Sequence, residues 1–239
     1  MPGKLLLLPN TLSEDGQAHL PVGLNEAIAQ LDGLFAETPK VARALLKNYP
    51  LKVPLQQFPI ETLSEHTQDS ELGDLIEPLL RGECWGILSD AGLPCIADPG
   101  SRLVSHARRH NVAISALSGP SSIFLILMLS GFSGQRFTFH GYLPRKEMPL
   151  ADKLKALTLS AQKEGMVHLF IEAPYRNNPL LKTLLATLPP SMELAVGVDL
   201  TSAAESVIVQ PIAKWRKGAP HDYHKRPAIF AIRAPGSRI

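Results

Sequence analysis

Four segments of the chain gather the side chains and backbone shapes that chemistry needs. The densest is Ser89-Asp90-Ala91-Gly92-Leu93-Pro94-Cys95-Ile96-Ala97-Asp98-Pro99-Gly100. It follows an apolar run and opens a helix, the place where open α/β sheets hold ligands. Gly92 permits close backbone approach, and Asp90 offers an acceptor for an amine or hydroxyl. Both aspartates would also serve as caps in a Gly/Pro-rich turn. The two readings stand level for Asp90, and the cap is preferred for Asp98. The second segment, Ser118-Gly119-Pro120-Ser121-Ser122-Ile123, is another strand-to-helix junction, where a phosphate at the helix N-terminus is one reading. Neither G-x-x-x-x-G-K-[ST] nor G-x-G-x-x-G occurs, which argues against a P-loop enzyme or a standard dinucleotide binder.

The third and fourth segments are Phe139-His140-Gly141-Tyr142-Leu143-Pro144-Arg145-Lys146 and Ile171-Glu172-Ala173-Pro174-Tyr175-Arg176. On residue types alone, His140 is a partly buried polar residue and Glu172 with Arg176 a strand-end ion pair. Basic clusters at His106 to His110, Lys214 to Lys217 and His224 to Arg226 give RNA weak support, because most such clusters are solvated faces. The histidines lack H-E-x-x-H spacing, and no metal site is expected.

Positioning these segments requires an α/β fold in which short β-rich runs alternate with helix-length stretches. The first half offers strands at Leu5 to Leu8, Gly33 to Ala36, Cys84 to Ser89 and Val112 to Leu117. Between them lie helices opened by Thr38 as N-cap with Pro39 (through about Asn48), over Leu72 to Leu80, after Asp98-Pro99-Gly100, and from Pro120 to near Gly131. The second half offers strands at Arg136 to Tyr142, Met166 to Glu172, Glu193 to Leu200, Ser206 to Val209 and Pro227 to Arg233. Its helices cover Leu150 to Gln162 and Asn178 to Leu188. The late strands predict a sheet with antiparallel members. A boundary near Ser118 gives two domains, 1–117 and 118–239.

The 239 residues are 45% hydrophobic and 19% charged, enough for a real core and against disorder. Two cysteines exclude a disulfide framework and a four-cysteine zinc site. The longest apolar run, Ile123 to Leu129, is far short of the ~20 residues that span a bilayer. The run before Pro9 is too short for a signal peptide, so a soluble cytoplasmic protein is expected. Twenty-four basic against 22 acidic residues leave +2, which permits an RNA held by a local patch and equally a small acidic metabolite.

In order and spacing, the four segments resemble the SAM-dependent tetrapyrrole methylase superfamily (class III methyltransferases), and within it a branch of ribosomal RNA cytidine 2′-O-methyltransferases. The branch pattern S-D-A-G-x-P-x-x-x-D-P-G is met by Ser89 to Gly100, and the G-P step by Gly119-Pro120. F-x-G-[FY]-L-P-x-K is met by Phe139 to Lys146, and E-x-P-x-R by Glu172 to Arg176. The resemblance implies two α/β domains with S-adenosylmethionine (SAM) in the cleft between them, and a homodimer. Carried over by position, the cofactor contacts are Leu12, Asp90, Gly92, Ile96, Ser122, Ile123, Phe170 or Ile171, and the backbone of Pro227-Ala228. Methyl transfer from a sulfonium is an in-line displacement that needs alignment and a dry site rather than a metal. A ribose hydroxyl acceptor would be helped by a base, for which Glu172, His140 and His66 are candidates. Arg176, Lys146 and Arg43 are available for phosphate or carboxylate, with Tyr175 beside them.

Departures fall in the acceptor half. The branch's P-x-P-I-G-N loop is Pro9-Asn10-Thr11-Leu12-Ser13-Glu14 here, and its A-E-D-T-R is Ala36-Glu37-Thr38-Pro39-Lys40, although Arg43 persists. A histidine motif survives only as Ser64-Glu65-His66-Thr67. The expected activity is methyl transfer from SAM to RNA, with ribosomal RNA or the ribosomal subunit as partner. The alternatives are a tetrapyrrole or protein acceptor, or a SAM-binding protein without catalysis.

Overall fold

The computed structural model describes residues 3–236, so residues 1–2 and 237–239 of the two expected domains lie outside the described residues. The chain divides into two units between Ser121 and Ser122, four residues after the boundary drawn on sequence.

The first unit is a five-stranded parallel sheet: β1 (Lys4–Leu8), β2 (Gly33–Ala36), β3 (Ile60–Thr62), β4 (Cys84–Leu88) and β5 (Ala113–Ala116), in the order β3-β2-β4-β1-β5. Four helices connect them: α1 (Leu24–Ala29), α2 (Pro39–Leu46), α3 (Leu72–Leu80) and α4 (Gly100–Arg109). The run Leu5 to Leu8 is continuous rather than alternating because both faces of its strand are covered. Leu6 and Leu8 join Leu34, Ile28 and Leu46 on one face, while Leu5 joins Phe35, Ile76 and Leu103 on the other. From β2 the chain moves outward to β3, and from β4 it moves back past β1 to β5. The reversal falls between β2 and β4, so their carboxyl ends flank the crevice where such sheets bind ligands.

The second unit starts with α5 (Ser122–Ser130) and continues through β6 (Phe137–Tyr142), α6 (Glu147–Glu164), β7 (Val167–Ile171), α7 (Asn177–Thr187), β8 (Glu193–Val198), β9 (Ser206–Pro211), α8 (Ile212–Trp215) and β10 (Ala228–Arg233). Its sheet runs β6-β7-β10-β8-β9. β6 and β7 are parallel, and β10 is antiparallel to both β7 and β8, as is β9 to β8, so the predicted antiparallel members are present. The core centres on Phe170 stacked against Phe230, with Leu154, Leu184, Val196 and Trp215 around them. α5 packs on β8, β9 and β10 through Ile123, Ile126 and Leu127.

Several boundaries move for local reasons. α6 starts at Glu147 rather than Leu150, because Lys146 is extended and Pro149 falls in the first turn, where a missing N–H costs nothing. It ends at Gly165, whose φ of 66° supplies the left-handed cap. Thr38 occupies the N-cap position of α2 but makes no cap bond, because its hydroxyl is engaged elsewhere. Among the described residues, no helix is long and apolar enough to cross a membrane.

Candidate active site

At the carboxyl ends of β1 and β4, Asn10 is buried and bonds to both loops. Its Nδ2 donates to the carbonyls of Ser89 (3.0 Å) and Asp90 (3.1 Å), and its Oδ1 accepts from the Thr11 N–H at 2.8 Å. Its own N–H donates to the Gly92 carbonyl (2.8 Å), while the Gly92 N–H returns to Thr11 at 3.3 Å. Gly92 has φ of +69°, and a Cβ there would lie 3.1 Å from Leu12 Cδ2 and 3.3 Å from the Pro120 carbonyl. A Cβ on Gly119 would collide with Pro9. The first loop, the Asp90 segment and the Gly119-Pro120 step therefore meet at one edge of the first unit. Leu12, Asp90 and Gly92 come together there, with Ile96 exposed further along the same loop.

The edge is acidic. Asp90 is exposed, and its Oδ2 accepts the Thr38 hydroxyl at 2.7 Å, which ties the end of β4 to the start of α2. Burial raises the Glu37 carboxyl above the usual carboxylate range, and the charges of Asp90, Asp98 and Glu65 raise it further. Burial also raises Asp98, against the pull of its bonds from Gly100 N–H (2.7 Å) and Cys95 N–H (3.0 Å). Those two bonds make Asp98 the tie between the loop and α4, the capping role preferred for it on sequence. Asp90 caps nothing and points its carboxylate to Thr38 instead.

In the second unit, Ser122 is half-buried and Ile123 nearly buried at the start of α5. Phe170 is fully buried with its ring committed to the Phe230 stack, so its side chain is a core element rather than a ligand contact. Ile171 beside it is partly exposed at the end of β7. Pro227 is exposed and its carbonyl accepts from the Asp199 N–H, and Ala228 begins β10.

The third and fourth segments converge on a cavity of about 290 Å³ lined by Pro144, Arg145, Glu147, Glu172, Arg176 and Thr183, among others. Glu172 is buried, and its carboxylate accepts from the Arg176 guanidinium. The ion pair expected on residue types is present, and it forms part of a cavity wall. Arg145, Glu147 and Thr183 were not singled out on sequence; the L-P-R-K turn was the only signal for the first two, and Thr183 in α7 had none. Lys146 and Tyr175 are exposed neighbours that do not line the cavity. His140 does not line it either: its Nε2 lies 3.0 Å from His168 Nδ1, and burial lowers its pKa to about 4, with Lys153 and His168 adding to the effect. His66 is exposed, with Nε2 3.8 Å from Glu65. Arg43 projects from α2 and lines a groove of the first unit with Lys40, Lys47 and Leu55. Two of the sequence-local basic clusters are partly structural: Arg216 donates to the carbonyls of Leu185 and Leu188, and Arg226 pairs with Asp199.

Comparison with known proteins identifies the family. Residues 15–215 match the family described as Tetrapyrrole (Corrin/Porphyrin) Methylases. The chain is similar to ribosomal RNA small subunit methyltransferase I of Xylella fastidiosa, 34% identical over 205 residues that cover 85% of this chain and 71% of that protein. It is also similar to the protein of the same name from Thermotoga maritima, 31% identical over 180 residues, 75% of this chain and 73% of that one. Two solved structures share the fold. The methyltransferase CobJ has a TM-score of 0.66 at 14% identity over 98% of this chain and 95% of that one. Diphthine synthase has 0.67 at 17% over 97% and 90%. With its two α/β units and the four segments in family order, the chain belongs to the tetrapyrrole methylase family and is a methyltransferase.

Proposed function

We propose that the chain transfers a methyl group from SAM to a ribose 2′-oxygen of ribosomal RNA, acting in the cytoplasm as a homodimer. The observation that carries the donor half is the edge built by Asn10, Leu12, Asp90 and Gly92. Its glycine leaves a cradle that a Cβ would fill, and its carboxylates suit a cationic ligand rich in hydroxyl and amine donors. The names of the relatives at 34% and 31% identity support the acceptor half.

When bound, SAM supplies an electrophilic methyl on a sulfonium that leaves as a neutral thioether after in-line attack by the acceptor oxygen. The chain's own groups bind, orient and take up a proton. Asp90 accepts from a hydroxyl or ammonium, and Thr38 fixes the carboxylate's rotamer. Gly92 and Leu12 form the wall that excludes water. We assign uptake of the hydroxyl proton to Glu172, with Arg176 as its counter-charge. His140 does not line the cavity that Glu172 lines, and its Nε2 is engaged with His168 Nδ1 at 3.0 Å. Labelled SAM offered with RNA, porphyrinoid and protein fractions from a strain lacking the protein tests the reading. Label in small-subunit RNA is expected. Label only in porphyrinoid or protein would replace the acceptor, and binding without transfer to any fraction would replace the activity.

A further inference from the structure

Away from the acidic edge, α2 carries a row of cations. Lys40 and Arg43 lie three residues apart, and Lys47 follows four further on, so all three project from one face over about 10 Å of helix. They line a groove of about 450 Å³ with Ala44, Leu55 and Gln56. Among the described residues, none of the three has a carboxylate within 4.0 Å, whereas nearby Lys52 is paired with Asp32 at 2.6 Å. A helix face with three unneutralised cations above an apolar floor suits a flexible polyanion that has neutral, flat groups between its charges. The row starts two residues after Thr38, whose hydroxyl is bonded to Asp90. A strand held along α2 by its phosphates would thus run up to the acidic edge, where Glu37 and Asp90 repel phosphate and admit a neutral nucleoside.

We propose that the α2 groove, through Lys40, Arg43 and Lys47, is a track for the phosphate backbone of a single-stranded segment of the RNA substrate. The proposal rests on the RNA acceptor reading above. The cations position the strand and carry no sequence preference.

The test compares the full chain with a Lys40→Gln, Arg43→Gln, Lys47→Gln variant. A control variant, Lys163→Gln, Lys182→Gln, Lys214→Gln, removes equal charge from exposed sites of the second unit. The probe is a labelled oligouridylate titrated over a range of salt, with S-adenosylhomocysteine calorimetry and thermal melting alongside. The groove variant is expected to lose on the order of tenfold or more in RNA affinity at low salt. Its log–log salt slope should become shallower by about 2, at ~0.7 per phosphate on a single strand. S-adenosylhomocysteine affinity and melting should stay as in wild type, and the control should retain most of its RNA affinity.

Equal losses in both variants would mean diffuse charge and overturn the track. So would an unchanged slope in the groove variant while wild type still methylates RNA, and in that case the function proposed above survives. Wild type that binds S-adenosylhomocysteine but neither binds nor methylates RNA overturns both readings. Polyglutamate replaces oligouridylate in a parallel titration. If it is held as tightly, with the same loss in the groove variant, the occupant is an acidic protein face and the RNA track is overturned.

Discussion

Asn10 is a residue whose type gave no warning of its position. It follows Pro9 at the end of an apolar run, where a turn residue is ordinary, yet its amide joins segments nearly 80 residues apart in sequence. Asn10→Ala removes both Nδ2 bonds and leaves the buried Ser89 carbonyl and the part-buried Asp90 carbonyl without that donor. It is expected to cost about 2–3 kcal/mol in urea unfolding and to abolish S-adenosylhomocysteine binding. Asp90→Ala removes an exposed carboxylate, so it should leave melting nearly unchanged while weakening S-adenosylhomocysteine in calorimetry. Melting that falls as far as affinity would return Asp90 to a structural role. Glu172→Gln separates base from scaffold: turnover should fall at least tenfold with S-adenosylhomocysteine affinity unchanged, while an equal loss of both would mark the ion pair as structural. The His140–His168 pair predicts a pH effect on folding. Unfolded histidine protonates near 6.5, but folded His140 only near 4, and burial lowers His168 too. Between those values the unfolded chain takes up protons that the folded one refuses. Stability is therefore full above about 6.5 and falls as the pH drops to about 4, by on the order of 2–3 kcal/mol for His140. Urea midpoints at about pH 7.5 and about pH 5 should differ accordingly, and His140→Phe should narrow the gap.

At the level of elements, apolar runs bounded by Gly and Pro revealed most strands, because a doubly covered strand leaves a run that needs no alternation. β3 was missed: its three residues include the exposed Glu61 and Thr62, and only pairing with β2 makes it a strand. α1 is short and lies against β1 and β2 by tertiary packing that its six residues do not announce. α5 was legible as a helix, but its run of apolar residues does not say which face is covered. Ile123, Ile126 and Leu127 go inward, leaving Phe124 at 51%, Met128 at 75% and Leu129 at 45% exposure. That bare face is our reason to assign the contact of the proposed homodimer to α5. Light scattering is expected to give twice the 26.0 kDa chain mass, and Met128→Lys to return it towards the single-chain value without lowering the melting temperature. Wild type that already scatters as one chain would remove the assignment.

For the whole molecule, two units and a mixed second sheet could be read from strand spacing, but strand order could not. Nothing local to Leu5 says that its neighbours are Trp85 and Ile114. The residues of the candidate site that were legible belong to contiguous motifs, such as Asp90 and Gly92. Asn10, and the Lys40 and Lys47 that join the already legible Arg43 in the α2 row, owe their role to what folding brings beside them. The sheet order also bears on how the chain is made. β1 sits between β4 and β5, so its first partner leaves the ribosome roughly 80 residues after it does. At ~5–20 residues per second, four consecutive leucines wait for several seconds without a ladder on either side. Birth is thus the period of greatest aggregation hazard for this chain, and a holdase that covers Leu5 to Leu8 until Cys84 emerges would protect it then.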